Sequence, residues 1–163
     1  MPIQVTRPRS NMKSILESNA KLRELIVEYR MLTDLALHAA TKKKELQIAR
    51  LEHDTFGYDV ILKVDDTIKY VQLKARIYEG RCSHWDVHRT LINNPDGTVV
   101  LILIRYSGKS ISLVYRTMDT TKRASIISQP PIIDRQDEKK CKVSLSDFKA
   151  GGNISSLYHN LFE

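Results

Sequence analysis

The sequence lacks the features that mark secreted, membrane-spanning and disulfide-linked proteins. Its two cysteines, Cys82 and Cys141, are far apart and outside any metal-ligand spacing, so we expect no disulfide framework. No apolar run approaches the roughly 18 residues needed to span a bilayer. Residues 1–10 contain no apolar segment of the kind found in a secretory signal. These absences predict a cytoplasmic protein with no membrane partner.

The composition fits one globular domain with a basic surface. Of 163 residues, 42% are hydrophobic and 28% are charged, and there are no internal repeats. The formal net charge of +7 favours an acidic partner, because lysine and arginine release condensed counterions when they bind a polyphosphate. Nucleic acid is the natural candidate, although many basic proteins only carry a solvated basic face.

Helical periodicity is strongest in residues 21–40, where apolar residues recur at steps of three and four. Ser18 and Asn19 separate this helix from a shorter one over residues 11–17, and they are candidate caps. Three lysines follow the long helix, where positive charge complements its dipole. One of them, Lys43, is also a candidate phosphate contact.

Short β-rich segments follow the helix and predict an α/β sandwich around a mixed sheet. The predicted order is helix, three strands, helix and strand, in one domain over residues 1–163 with its core at 20–116. Residues 117–163 are expected to form a peripheral extension with a short strand and a last helix. The predicted strands are 46–51, 58–64, 68–76, 98–104, 111–115 and 142–145, and a second helix is predicted over 83–93.

The second and third strands predict a polar cluster. If they form a symmetric hairpin about Asp65 and Asp66, the numbers of paired residues sum to 131, which places Asp59 opposite Gln72. Lys74 lies diagonal to Asp59 on the same face, because side chains alternate along a strand. The three polar groups therefore converge.

A carboxylate, an amide carbonyl and an ammonium group suit metal-assisted hydrolysis of a phosphate ester. Asp59 and Gln72 offer the hard oxygen ligands that Mg²⁺ or Mn²⁺ prefers, and Lys74 offers a fixed positive charge for a phosphate in transition. In this hypothesis Asp59, Gln72 and Lys74 are catalytic, and the first two bind the metal. The alternative for Lys74 alone is an exposed strand lysine that guards against aggregation.

This pattern resembles the PD-(D/E)XK nuclease superfamily. The superfamily motif begins with an aspartate on one strand. The next strand carries the pattern (Asp, Glu or Gln)-X-Lys, in which X is any residue. Residues 33–104 look like the Holliday-junction-resolvase and Mrr-type restriction branches. The resemblance implies a restriction-endonuclease-like αβββαβ core. It also implies an acidic residue from the long helix, for which Asp34 is the aligned position and Glu28 and Glu24 are alternatives.

The resemblance implies a Mg²⁺-dependent endonuclease that cuts phosphodiester bonds, with DNA preferred to RNA as substrate and a role in defence, repair or mobile-element biology. The alternatives are a non-cleaving nucleic-acid-binding module and an interaction subunit of a larger assembly; a homodimer is a further alternative. A transition-metal site at His84 and His88 is a weaker hypothesis, since no second ligand pair accompanies them. The candidate nucleic-acid contacts are Arg76, Arg81, His84, Arg89 and Lys43.

Overall fold

A computed structural model of the chain describes residues 12–53, 56–133 and 139–163, and the bounds below refer to those ranges. The expectation about residues 1–10 concerns residues outside them. The helices are α1 (Met12–Ser18), α2 (Ala20–Thr41), α3 (Arg89–Asn93), α4 (Arg123–Ser128) and α5 (Ile154–Phe162). The strands are β1 (Leu46–Arg50), β2 (Val60–Val64), β3 (Thr67–Ile77), β4 (His84–His88), β5 (Gly97–Ser107), β6 (Ser110–Thr117), β7 (Ile132–Ile133) and β8 (Lys139–Ser144).

The central sheet has five strands in the order β1-β2-β3-β5-β6. Strands β3 and β5 are parallel, and every other neighbouring pair in this sheet is antiparallel. The parallel pair requires a crossover, which runs through β4 and α3. The predicted mixed sheet with a restriction-endonuclease-like core order is confirmed, with β4 as an added strand inside the crossover.

The β2–β3 hairpin has the predicted register. Val60 pairs with Val71 and Val64 with Thr67, so the numbers of each pair sum to 131. Asp65 lies in the turn with a φ of 50°, in the left-handed region that aspartate tolerates better than most residues. The predicted cap of the long helix is also confirmed, because the Asn19 side chain accepts a 3.0 Å hydrogen bond from the Leu22 amide.

Both faces of the sheet are covered, as the apolar run in β5 predicts. On one face, Val100, Ile102 and Ile104 pack in a cluster with residues of α2 and α5. On the other, Val99, Leu101 and Leu103 pack against α3, α4 and a second sheet of order β4-β8-β7. The central sheet is thus the middle layer of three.

The helix predicted over residues 83–93 is wrong for the first half of that segment, which is a strand. Residues 84–88 form β4, which pairs antiparallel with β8, and only Arg89–Asn93 are helical. Because a strand rises about 3.3 Å per residue, His84 and His88 are about 13 Å apart along β4 rather than one helical turn. The weak hypothesis of a metal site at this pair is therefore contradicted by the structure.

The C-terminal segment is part of the core rather than peripheral. Leu157, Tyr158 and Leu161 of α5 are buried in the α2 cluster, and Phe148 and Val143 are buried in the other cluster. The predicted last helix and the short strand are both present, as α5 and β8. These residues bury apolar surface that the first 116 residues alone would leave open to water.

The two thiols differ sharply in exposure, which gives a first prediction. Cys82 is exposed, whereas Cys141 is buried, and burial raises the pKa of the Cys141 thiol. A thiol reagent such as DTNB should therefore modify one cysteine rapidly in the native protein and the second only after addition of denaturant. The Cys82→Ser variant should lack the fast phase, and a fast phase that survives in it would contradict this burial pattern.

No helix in the described part of the chain is both long and apolar enough to cross a membrane.

Candidate active site

A cavity of about 340 Å³ lies beside the second half of β3. Strand β2 pairs with β3 only as far as Val71, whose partner is Val60. Strand β5, by contrast, pairs with β3 as far as Ile77. The edge of β3 that faces away from β5 is therefore open beyond Val71. The cavity at this edge is lined by Glu24, Val27, Glu28, Asp59, Leu73, Lys74, Ala75, Trp85 and Ile102.

Asp59 is fixed at the end of β2 by both its backbone and its side chain. Its amide donates to the Val71 carbonyl at 2.9 Å, and its carbonyl accepts from the Leu51 amide at 3.0 Å. Its carboxylate Oδ2 accepts from the Leu73 amide at 2.6 Å. The carboxylate thus covers part of the open β3 edge and stays beside Lys74.

Gly57 sets the path of the chain into this position. Its φ of +79° is in the left-handed region, and a Cβ built there would lie 2.2 Å from the Cβ of His88. Glycine is required on both counts, because any side chain would be strained and would collide. Tyr58, next along, packs edge-on against Tyr70 with ring centroids 5.1 Å apart. These contacts anchor the segment that presents Asp59.

Lys74 lines the cavity, and Gln72 lies behind it. Within the described residues, Lys74 makes no hydrogen bond or ion pair, so its charge is available to a ligand. The Gln72 side chain is only 3% exposed and is not among the lining groups. Its Oε1 is buried and accepts no hydrogen bond from the described part of the chain. Such an orphaned acceptor is uncommon and is often explained by a bound water or ion.

Helix α2 brings Glu24 and Glu28 to the cavity, and not Asp34. The Glu28 carboxylate is held at 2.8 Å by Arg50, which also donates to the Tyr29 hydroxyl at 2.6 Å. Glu24 is exposed and forms no hydrogen bond or ion pair with the described residues. The helix therefore supplies two carboxylates one turn apart, which the sequence offered only as alternatives.

Asp34 lies elsewhere because it is six residues beyond Glu28, at a different angle around α2 and about 9 Å farther along its axis. Its carboxylate pairs with Arg30 at 3.3 Å. Burial raises the pKa of the Tyr115 hydroxyl, and the nearby Asp34 carboxylate raises it further. Since Tyr115 belongs to β6, Asp34 lies near β6, two positions from β3 in the sheet order, and it does not line the Asp59 cavity.

The residues predicted to contact nucleic acid are dispersed. Arg76 donates to the Cys82 carbonyl and lies 5.8 Å from the Trp85 ring, so it orders the loop between β3 and β4. Arg89 donates to the Ile127 carbonyl at 2.7 Å and so holds the end of α4. Neither structural role could be predicted from the sequence. Arg81 and His84 are exposed, and neither lines the cavity. Lys43 follows α2, about 20 Å along the helix from Glu28.

Similarity to known proteins is weak at the level of sequence. No family model matches the chain, and no curated protein matches it. A solved structure to which the chain is similar is that of Hjc, a Holliday junction resolvase from the archaeal hyperthermophile Archaeoglobus fulgidus. That similarity covers 83% of this chain and 98% of the other, with 17% sequence identity and a TM-score of 0.43.

The oxygen donors of the cavity fit Mg²⁺ or Mn²⁺ in kind. In the described ranges, no group of three Asp, Glu, His or Cys side chains is close enough to hold an ion by itself. Mg²⁺ does not need such a group, since it usually keeps several waters and is held by one or two carboxylates. Asp59 supplies one carboxylate at the cavity, and the Gln72 Oε1 is a second hard oxygen on the neighbouring strand, buried behind the lining groups.

Proposed function

We propose that this protein is a metal-dependent nuclease that hydrolyses phosphodiester bonds in nucleic acid, with DNA as the preferred substrate. The observation that carries the proposal is the cavity at the open edge of β3. It brings the Asp59, Glu24 and Glu28 carboxylates together with the Lys74 ammonium, which forms no ion pair with the described residues. The net charge of +7 supports a polyanionic substrate.

Each lining group has a chemical role in this proposal. The Lys74 Nζ stabilises the negative charge that grows on the non-bridging phosphate oxygens as water attacks and the P–O bond breaks. Glu24 accepts a proton from the attacking water, since its carboxylate has no other hydrogen bond to the described residues. Arg50 holds Glu28 in place. Asp59 would hold Mg²⁺, and the Gln72 side chain would have to turn toward the cavity to join it. When bound, the ion supplies a water of lowered pKa and neutralises phosphate charge.

Divalent-metal dependence is the direct test. Supercoiled DNA and a structured RNA are incubated with the protein in Mg²⁺, Mn²⁺ or EDTA, and the products are resolved on gels. We expect cleavage in either metal, more readily of DNA, and none in EDTA. Cleavage that continues in EDTA would contradict the proposal.

A binding measurement separates the metal site from the chemistry. Mn²⁺ titration followed by electron paramagnetic resonance should show a site in the wild type, and Asp59→Asn should weaken it at least about tenfold, because a neutral amide replaces the charged ligand. Asp34→Asn is the matched control, since Asp34 lies outside the cavity. Equal weakening in both variants would argue against Asp59 as a ligand.

A non-cleaving binding module is the second candidate. It is favoured by Gln72, a neutral group where a second acidic strand ligand would bind a metal more tightly. Salt-sensitive binding of nucleic acid without cleavage in Mn²⁺ would support this alternative over the nuclease.

A further inference from the structure

A second groove, of about 310 Å³, lies at the C-terminal ends of β3 and β5, where α5 begins. It is separate from the Asp59 cavity and has no acidic lining residue. Its lining includes Tyr78, Arg105, Arg116, Gly151, Gly152 and Asn153. Two arginines without a nearby carboxylate give this groove a positive character.

Both arginines lack an acidic partner. Within the described residues, neither Arg105 nor Arg116 forms an ion pair, and the Arg116 Nε is buried with no hydrogen-bond acceptor. The Arg105 guanidinium lies 3.7 Å from the centroid of the Tyr78 ring. Stacking on an aromatic ring restrains a guanidinium while leaving its N–H groups directed outward. An anion would satisfy the N–H donors that the protein leaves open.

The start of α5 borders the groove through Asn153, the N-cap of this helix. The N-terminus of a helix carries the positive end of the helix dipole. The Asn153 side chain accepts from the Ser156 amide at 3.1 Å and so caps the helix. At Gly151 a Cβ would lie 2.7 Å from Val114 Cγ1 and 3.4 Å from Arg116 Nε. The absence of a side chain lets the backbone approach Arg116 closely.

Sheet register relates this groove to the candidate active site. Lys74 pairs with Leu101, and Leu101 pairs with Arg116, so all three point to the same face. The Cα atoms of Lys74 and Arg116 are thus about 10 Å apart, which is two strand spacings.

We propose that Arg105 and Arg116, beside the N-terminus of α5, bind a backbone phosphate of the nucleic acid, at a site distinct from the one where the chain is cut. This rests on nucleic acid being the ligand, as in the proposed function. Because the groove contacts phosphate, the contact is independent of base sequence. It increases affinity and sets how the strand lies across the sheet.

The test measures binding without cleavage. Fluorescence anisotropy of a labelled DNA duplex is recorded in EDTA over a series of KCl concentrations, for the wild type and for Arg105→Gln/Arg116→Gln. We expect a loss of affinity of about tenfold or more and a salt slope (log K against log [KCl]) shallower by about one to two, since each neutralised phosphate contributes about 0.9. Lys63→Gln/Lys122→Gln removes the same charge outside the groove and should keep the wild-type slope.

A charge-preserving variant distinguishes the loss of a phosphate contact from misfolding. Arg105→Lys/Arg116→Lys should retain the salt slope and lose only part of the affinity, because lysine keeps the charge without the planar fork. The inference is overturned if the glutamine variant binds like its lysine control, or if the wild type does not bind DNA. If the wild type cleaves DNA in Mg²⁺ but the glutamine variant keeps the wild-type salt slope, the groove proposal is wrong and the nuclease proposal is supported. If the salt slope depends on the groove but no cleavage occurs, the groove proposal is supported and the nuclease proposal is wrong.

Discussion

Replacing Lys74 by methionine is expected to lower the rate of metal-dependent cleavage by about 100-fold or more. The ammonium group lines the same cavity as Asp59, Glu24 and Glu28, and it forms no ion pair with the described residues. Its charge is therefore positioned for substrate rather than for fold stability. Methionine has a similar length and shape but cannot stabilise charge on the phosphate. The rate is measured by single-turnover cleavage of labelled DNA in saturating Mg²⁺.

Two controls make this result specific. Lys63→Met removes a lysine from β2 that does not line the cavity, and it should cleave at close to the wild-type rate. Mn²⁺ binding by the Lys74→Met protein should be preserved, since lysine is not a ligand. Cleavage by Lys74→Met at the rate of the Lys63 control would falsify the role assigned to Lys74, whatever happens to Asp59 variants.

Replacing Leu157 by alanine is expected to destabilise the protein by about 2–5 kcal/mol. Leu157 of α5 is 1% exposed and packs in the apolar cluster that α5 forms with α2 and the sheet. Truncation removes apolar contact and leaves a cavity that the surrounding residues fill only in part. The free energy of unfolding is measured by urea titration followed by circular dichroism.

Leu37→Ala is the matched control for this prediction. Leu37 has the same chemistry but is 63% exposed on α2, so its truncation should change stability by less than about 0.5 kcal/mol. Similar losses in the two variants would mean that α5 does not complete the core. The comparison also tests whether the last helix is integral to the domain.

Local patterns account for what could be predicted from the sequence. The Asn19 cap, the three-to-four spacing of α2 and the Asp65-Asp66 turn each depend on neighbours within a few residues. The hairpin register follows from that turn, and with it the grouping of Asp59 and Lys74. These features are fixed by short-range geometry, which a single sequence displays.

Residues 84–88 show where local patterns fail. Trp85 and Val87 individually favour strands, but Ser83 with Asp86 resembles a helix cap, and this local pattern predicted a helix. The segment is a strand because β8, more than 50 residues later, pairs along its whole length. Long-range pairing of this kind overrides local preference, and the pairing partner is not visible in the segment itself.

The sequence by itself determined the basic character of the protein, the order of its central elements and the strand register that groups Asp59 with Lys74. Tertiary structure alone decided that Glu24 and Glu28, and not Asp34, lie beside them, and that Gln72 is buried behind the cavity. Tertiary packing also brought the last third of the chain into the core, and it placed Arg105 and Arg116 near the start of α5. Periodicity along a chain fixes which side of an element a residue occupies. Which element covers that side depends on packing between segments that are distant in sequence.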